Sequence, residues 1–205
     1  MRIRRTSQRL AVAALVALAV TALPSCGGGG DGGGGGTNAP TATFTPDTPS
    51  PGTSTIAMLA GASAGAAVNV RITVTGVNDF FGAAFRVTYD PVALLFNGMD
   101  DSGSLLRQGG VTNANLVFQA NQTAVPGQII ITATRLDPTT AGTVDVGPTA
   151  DLVVLNFSAR RAIAGGDAGG VLGFDASRDV QVCATPLTCA SAGGLTWSGG
   201  AVTAQ

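Results

Sequence analysis

Val68-Asn69-Val70-Arg71-Ile72-Thr73-Val74 is the stretch that decides the fold. Four β-branched apolar residues alternate with Asn69, Arg71 and Thr73, so an extended chain places one set on each face, apolar inward and polar outward. The same alternation returns at Phe85, Val87 and Tyr89, with Arg86 and Thr88 between them. Outward from these two strands, apolar runs occur at residues 55–59, 94–96, 116–118, 128–134, 152–159, 171–174, 179–183 and 195–203. Between them sit turn signals: Gly76-Val77-Asn78-Asp79, Val125-Pro126-Gly127, Asp137-Pro138 and Gly165-Gly166-Asp167. Gly, Pro, Asn and Asp each favour reversal for a distinct steric or hydrogen-bonding reason. About ten short candidate strands and no long amphipathic stretch at 3.6 spacing predict an all-β sandwich. A short helical turn is expected around residues 159–164, and no internal repeat is present.

Composition excludes much chemistry. The 205 residues hold eleven Arg and no Lys, twelve Asp and no Glu, and no His. A Ser-His-Asp triad, a histidine-ligated zinc, a Glu general acid and a Schiff-base lysine are therefore all ruled out. Paired Asp residues could in principle hydrolyse glycosides, but nothing in the spacing brings a pair together, and no enzymatic activity is expected. The net charge is −1, and from Cys26 onward seven Arg face twelve Asp, so nucleic acid is not an expected partner.

The first 52 residues read differently from the rest. Arg2, Arg4, Arg5 and Arg9 precede an apolar and small run at residues 10–23, the pattern of a secretory signal peptide and too short for a spanning helix. Leu23-Pro24-Ser25-Cys26 resembles a bacterial lipobox, which predicts cleavage before Cys26 and lipidation of its thiol. Residues 27–36 are nine Gly and one Asp, followed by a Thr, Pro and Ser rich segment to residue 52. That composition cannot bury enough apolar surface to offset its ordering entropy, so a flexible tether is expected. The expected organisation is a signal peptide at residues 1–25, a lipidated tether at 26–52 and a folded domain at 53–205. Gly27, rather than Asp, after the lipidated cysteine points to the outer membrane or cell surface, with the membrane engaged through the lipid anchor alone.

Cys183 and Cys189 remain, with five residues between them, in a chain expected to be exported. Disulfides persist in that setting, so a bridge closing a hairpin tip is predicted. Two Cys without His make an incomplete zinc site, and no metal or other cofactor is expected.

The order of segments resembles the cohesins, nine-stranded jelly-roll modules that bind dockerin modules in cellulosomes and related extracellular assemblies. Four pieces carry the resemblance: the strand at residues 68–74; Gly82-Ala83-Ala84-Phe85-Arg86-Val87-Thr88-Tyr89-Asp90-Pro91; Leu155-Asn156-Phe157-Ser158-Ala159; and Gly199-Gly200-Ala201-Val202-Thr203. It implies a nine-stranded jelly-roll β-sandwich whose work is protein docking through one sheet face. On the strand leading to the Tyr89-Asp90-Pro91 turn, the residues alternating outward are Gly82, Ala84, Arg86 and Thr88. Cellulosomal cohesins of the best-known type place polar, partner-bonding side chains at the positions of Gly82 and Ala84. The implied partner is a dockerin-like or other secreted or surface protein, within polysaccharide-degrading or cell-surface assembly.

Two other functions are compatible with such a sandwich. A carbohydrate-binding module would bind polysaccharide directly by stacking sugar rings on exposed aromatics; Phe80 and Phe81 are the candidates, with Tyr89 and Trp197 expected to fill the core or cover an edge. A structural or adhesion module stiffened by calcium would draw on Asp100, Asp101, Asp145 and Asp151, which lack the spacing of a calcium loop.

Overall fold

The computed structural model describes residues 40–185 and 188–205. The expected signal peptide, Cys26 and the tether up to residue 39 lie outside the described residues. No helix among the described residues is long and apolar enough to cross a membrane.

The strands are β1 (Ala42–Pro46), β2 (Thr55–Ala64), β3 (Ala67–Thr75), β4 (Val77–Thr88), β5 (Leu94–Asp100), β6 (Leu116–Gln122) and β7 (Gln128–Arg135), continuing with β8 (Val144–Val146), β9 (Ala150–Ala159), β10 (Val171–Thr185), β11 (Thr188–Ser191), β12 (Thr196–Ser198) and β13 (Gly200–Ala204). They form two sheets. The larger runs β1-β13-β10-β4-β7-β6, with β11 paired to β10 and β8 to β4; the smaller runs β12-β2-β3-β9-β5. All pairings are antiparallel except β12 with β2. The expected all-β sandwich is thus the observed architecture. Of the thirteen strands among the described residues, β1, β8, β11, β12 and β13 have five residues or fewer.

Alternation builds the core. Val68, Val70, Ile72 and Val74 on β3 are wholly buried, as are Val87 on β4 and Ile129 and Ile131 on β7. Phe80, Phe85 and Phe157 are the largest fully buried side chains. Burying a large apolar side chain contributes about 1.5–3 kcal/mol, so these inward rows dominate the stability. On the outer side of the smaller sheet Arg71 pairs with Asp151, Nη2 to Oδ1 at 2.7 Å.

The folded unit starts earlier than residue 53. Residues 42–46, expected within the tether, form an edge strand paired with β13, burying Ala42 and Phe44. The helical turn expected near residues 159–164 is absent: Ile163 instead bridges to Ala204 and is fully buried. Short helical turns occur at Leu105–Gly110, Asn113–Asn115, Pro138–Ala141 and Ala168–Gly170. The turn signal at residues 76–79 is a corner: Gly76, at φ 61°, carries the chain from β3 in the smaller sheet to β4 in the larger.

Arg135, 3% exposed, organises the loops at one end. Its guanidinium donates to the carbonyls of Leu106, Gln108, Ala141 and Thr143. Burial pushes its pKa below the usual arginine value.

Candidate docking face

Strand β4 sits in the interior of the larger sheet, between β10 and β7. Its inward residues Phe85 and Val87 reach the core, so Ala84, Arg86 and Thr88 face outward, as the alternation predicts. Register extends this outer row: Ala84 lies opposite Thr132, Arg86 opposite Ile130 and Thr88 opposite Gln128 on β7. Beyond them, Gln119 and Asn121 on β6 lie opposite Thr132 and Ile130. On the other side Asp179 lies opposite Ala84, and Gln181 opposite Gly82. The face is small, mostly polar and mostly uncharged.

Gly82 departs from the expectation of an accessible contact. It is buried, and a Cβ built there would lie 2.3 Å from Thr134 Oγ1, because Thr134 covers it from β7. Thr134 in turn donates to the Arg135 carbonyl at 2.8 Å. Thr88 Oγ1 donates to the Gly173 carbonyl at 3.4 Å. The accessible part of the expected set is therefore Ala84, Arg86 and Thr88.

Strand β10 bulges between Phe174 and Arg178 where it passes β4. The bulge opens a shallow depression of about 320 Å³ lined by Ala84, Phe85, Arg86, Ile130, Ser177, Arg178 and Asp179. The charges around it are mostly engaged. Asp179 accepts from Gln181 Nε2, and Asp175 accepts from Gln128 Nε2 at 3.2 Å and from the Ser177 amide at 3.0 Å. The Arg178 guanidinium lies 5.2 Å from the Trp197 ring centroid. Alternation could place the outer row, but a bulge has no sequence signature as clear as a hairpin turn, and the depression was not legible.

The Tyr89-Asp90-Pro91 turn forms as predicted. Asp90 Oδ1 accepts from the Val92 amide at 2.8 Å, and the Asp90 carbonyl accepts from Leu94 N at 2.9 Å. Gly127, at φ 79°, approaches so closely that a Cβ would lie 2.2 Å from the Tyr89 carbonyl oxygen, while the Tyr89 amide donates to the Gly127 carbonyl at 2.8 Å. Tyr89 is half-buried with its ring edge-on to Phe157 at 5.5 Å. Burial raises its phenol pKa, and Arg160 opposes that rise.

Phe80 and Phe81 do not form the exposed aromatic pair expected for sugar stacking. Phe80 is fully buried in the core and Phe81 is 8% exposed. Two register shifts on β4 explain this: one against β8 between Val77 and Phe80, with Asp79 at φ 52°, and one against β10 as it passes from Gly82 to Phe80. They break simple alternation, so neighbouring rings both lose solvent. Trp197 is half-buried and packs with Phe174 and Phe85, centroids 4.9 and 5.8 Å away, and so covers an edge, as expected.

Cys183 and Cys189 are joined by a disulfide between directly opposed residues of β10 and β11. Cys183 is buried and Cys189 exposed. Among the described residues no three Asp or Cys converge on a metal position. Asp101 pairs with Arg107, Asp151 with Arg71, Asp145 accepts from the Asp79 amide, and Asp100 from the Ser102 amide.

The sandwich is similar to solved cohesins. A type II cohesin domain from the cellulosome of Acetivibrio cellulolyticus superposes with a TM-score of 0.51 at 13% identity, covering 80% of this chain and 94% of that one. Type II cohesin A11 from Bacteroides cellulosolvens gives 0.51 at 14% identity, covering 78% and 96%. The second type II cohesin module of an A. cellulolyticus adaptor scaffoldin gives 0.52 at 13%, covering 80% and 89%. These likenesses show a shared fold. No curated protein matches the sequence. The cohesin-domain family model matches residues 52–182, more than half of the chain, from just ahead of β2 to near the end of β10. With that match and this sandwich together, the chain belongs to the cohesin family.

Proposed function

We propose that this chain is a non-catalytic docking module that binds a dockerin through the outer face of β10, β4, β7 and β6. The observation that carries the proposal is the face itself: an outward surface of mostly small or uncharged polar side chains on β10, β4, β7 and β6, in a chain of the cohesin family. Such a surface can be covered by a partner at little desolvation cost, since few charges lose water. The contacts differ from those of the best-known cohesins. Gly82 is roofed by Thr134 and Ala84 carries no donor, so Arg86, Thr132, Gln119 and Asn121 are the polar groups left to meet a partner.

Export, a lipid anchor at Cys26 and a place in polysaccharide-degrading or cell-surface assembly complete the proposal. The segment at residues 1–26 supports the first two. The experiment is a titration of the full chain against displayed type I and type II dockerin modules, with cellulose and chitin in parallel. Saturable binding to a dockerin is expected. Retention on polysaccharide with no dockerin bound would defeat the proposal. Mass spectrometry of the mature N-terminus tests the anchor separately, and an unmodified Cys26 would refute it.

A further inference from the structure

The depression on the outer face holds one guanidinium that no other group among the described residues engages. Its floor is Ala84, and the bowing of β10 between Phe174 and Arg178 removes the side chains that would otherwise stand beside Arg86. Of the charged groups around it, Arg178 lies over Trp197, Asp179 is bonded by Gln181, and Asp175 by Gln128 and the Ser177 amide. Arg86 makes no hydrogen bond or ion pair among the described residues. It is half-buried, and it stands on the interior strand β4 opposite Ile130.

A partner that covers this face takes water from the Arg86 guanidinium. An arginine buried in an interface without a compensating acceptor weakens binding, and its planar fork of donors matches a carboxylate bidentately. Ala84 leaves the space such a side chain needs. We infer that the depression receives an Asp or Glu side chain from the docked dockerin, held by Arg86, and that Arg86 thereby sets which partner is accepted. The inference rests on the docking proposal and adds the chemistry of the contact. It also accounts for a face without polar groups at residues 82 and 84: recognition is concentrated one alternation further along the same strand.

The test is a charge exchange between the full chain and whichever dockerin module binds it in the titration above. Arg86→Glu is expected to weaken binding at least tenfold and Arg86→Gln by a smaller factor, with thermal melting unchanged. Each exposed acid of that dockerin is then changed to Arg. One such variant is expected to lose affinity for the wild type and to regain most of it with Arg86→Glu. Binding by Arg86→Glu within twofold of wild type would overturn the inference. So would a loss that no acid-to-Arg variant rescues, the outcome if Arg86 meets backbone carbonyls instead. If no dockerin binds the wild type, the docking proposal itself fails, a result distinct from either of these.

Discussion

Thr134 stands directly over Gly82 across the β4–β7 ladder, and a Cβ at residue 82 would come within 2.7 Å of the Thr134 Cα as well as within 2.3 Å of its hydroxyl. The backbones approach each other there more closely than two side-chained residues allow. A polar residue could not be restored at 82 without moving a strand.

Gly82→Asn is therefore expected to destabilise the fold by about 1–3 kcal/mol, the usual cost of overpacking. Ala84→Ser, two residues along on open surface, is expected to stay within about 0.5 kcal/mol of wild type. Urea denaturation of the two variants checks the contrast, and equal stability would contradict the close approach.

Arg135 gives a second prediction. Four backbone carbonyls depend on its guanidinium, and among the described residues no carboxylate pairs with it. Arg135→Met removes the charge but orphans buried acceptors, at roughly 1–3 kcal/mol for each one left unsatisfied. Arg135→Lys cannot replace the fork, because an ammonium offers three donors in a different geometry. Both variants are expected to melt well below wild type, with loosened amide protection at residues 105–110 and 138–143 seen by hydrogen exchange.

The disulfide is expected to act locally. Joining residues six positions apart stabilises by only about 2 kcal/mol in the chain-entropy model, and β11 pairs with β10 alone. Cys189→Ser should leave the sandwich folded while amide protection is lost across β11 and the facing part of β10. Global unfolding on reduction would show that the bridge does more.

The pH response follows from the carboxylates. Hydrogen bonds from Thr139 and Thr140 hold Asp137 below its ordinary value of 3.8, and Arg161 with the Gly169 amide does the same for Asp167. A folded-state pKa below the unfolded one contributes stability above the unfolded value, and that stability is lost as pH falls through the folded value. With no His in the sequence, no side chain titrates at its ordinary pKa between about pH 5 and 8. The melting temperature is expected to be flat over that range and to fall below about pH 4. Asp137→Asn and Asp167→Asn should each reduce the acid sensitivity.

How much was readable follows from the residues themselves. Strands β3 and β4 each have one face in the core and one outward, so period two was plain in Val68 to Val74 and in Phe85 to Tyr89, whereas β7 showed only as an apolar run because Ile130 stands outward between Ile129 and Ile131. Strand β1 escaped because Ala42 and Phe44 alternate within a Thr and Pro rich segment and Pro46 ends the run after five residues. Strand β8 is too short to show a period. The outer row at Ala84, Arg86 and Thr88 was legible from alternation, but burial of Phe80 and Phe81, the roof over Gly82 and the depression beside Arg86 all arise from register shifts or close approach. Those are properties of paired strands, which one strand's sequence does not carry.

The docking claim is tested most directly by comparing two outer faces in one binding measurement. Ala84→Trp fills the depression on the larger sheet, while Asn156→Trp places the same bulk on the outer side of the smaller sheet, where Asn156 lies opposite Asn69. Titrated against the dockerin that binds the wild-type chain, Ala84→Trp is expected to lose binding by at least a hundredfold, with Asn156→Trp within threefold of wild type, as expected when bulk blocks a central contact. Loss of binding by Asn156→Trp with Ala84→Trp unaffected would contradict the assignment of the docking face.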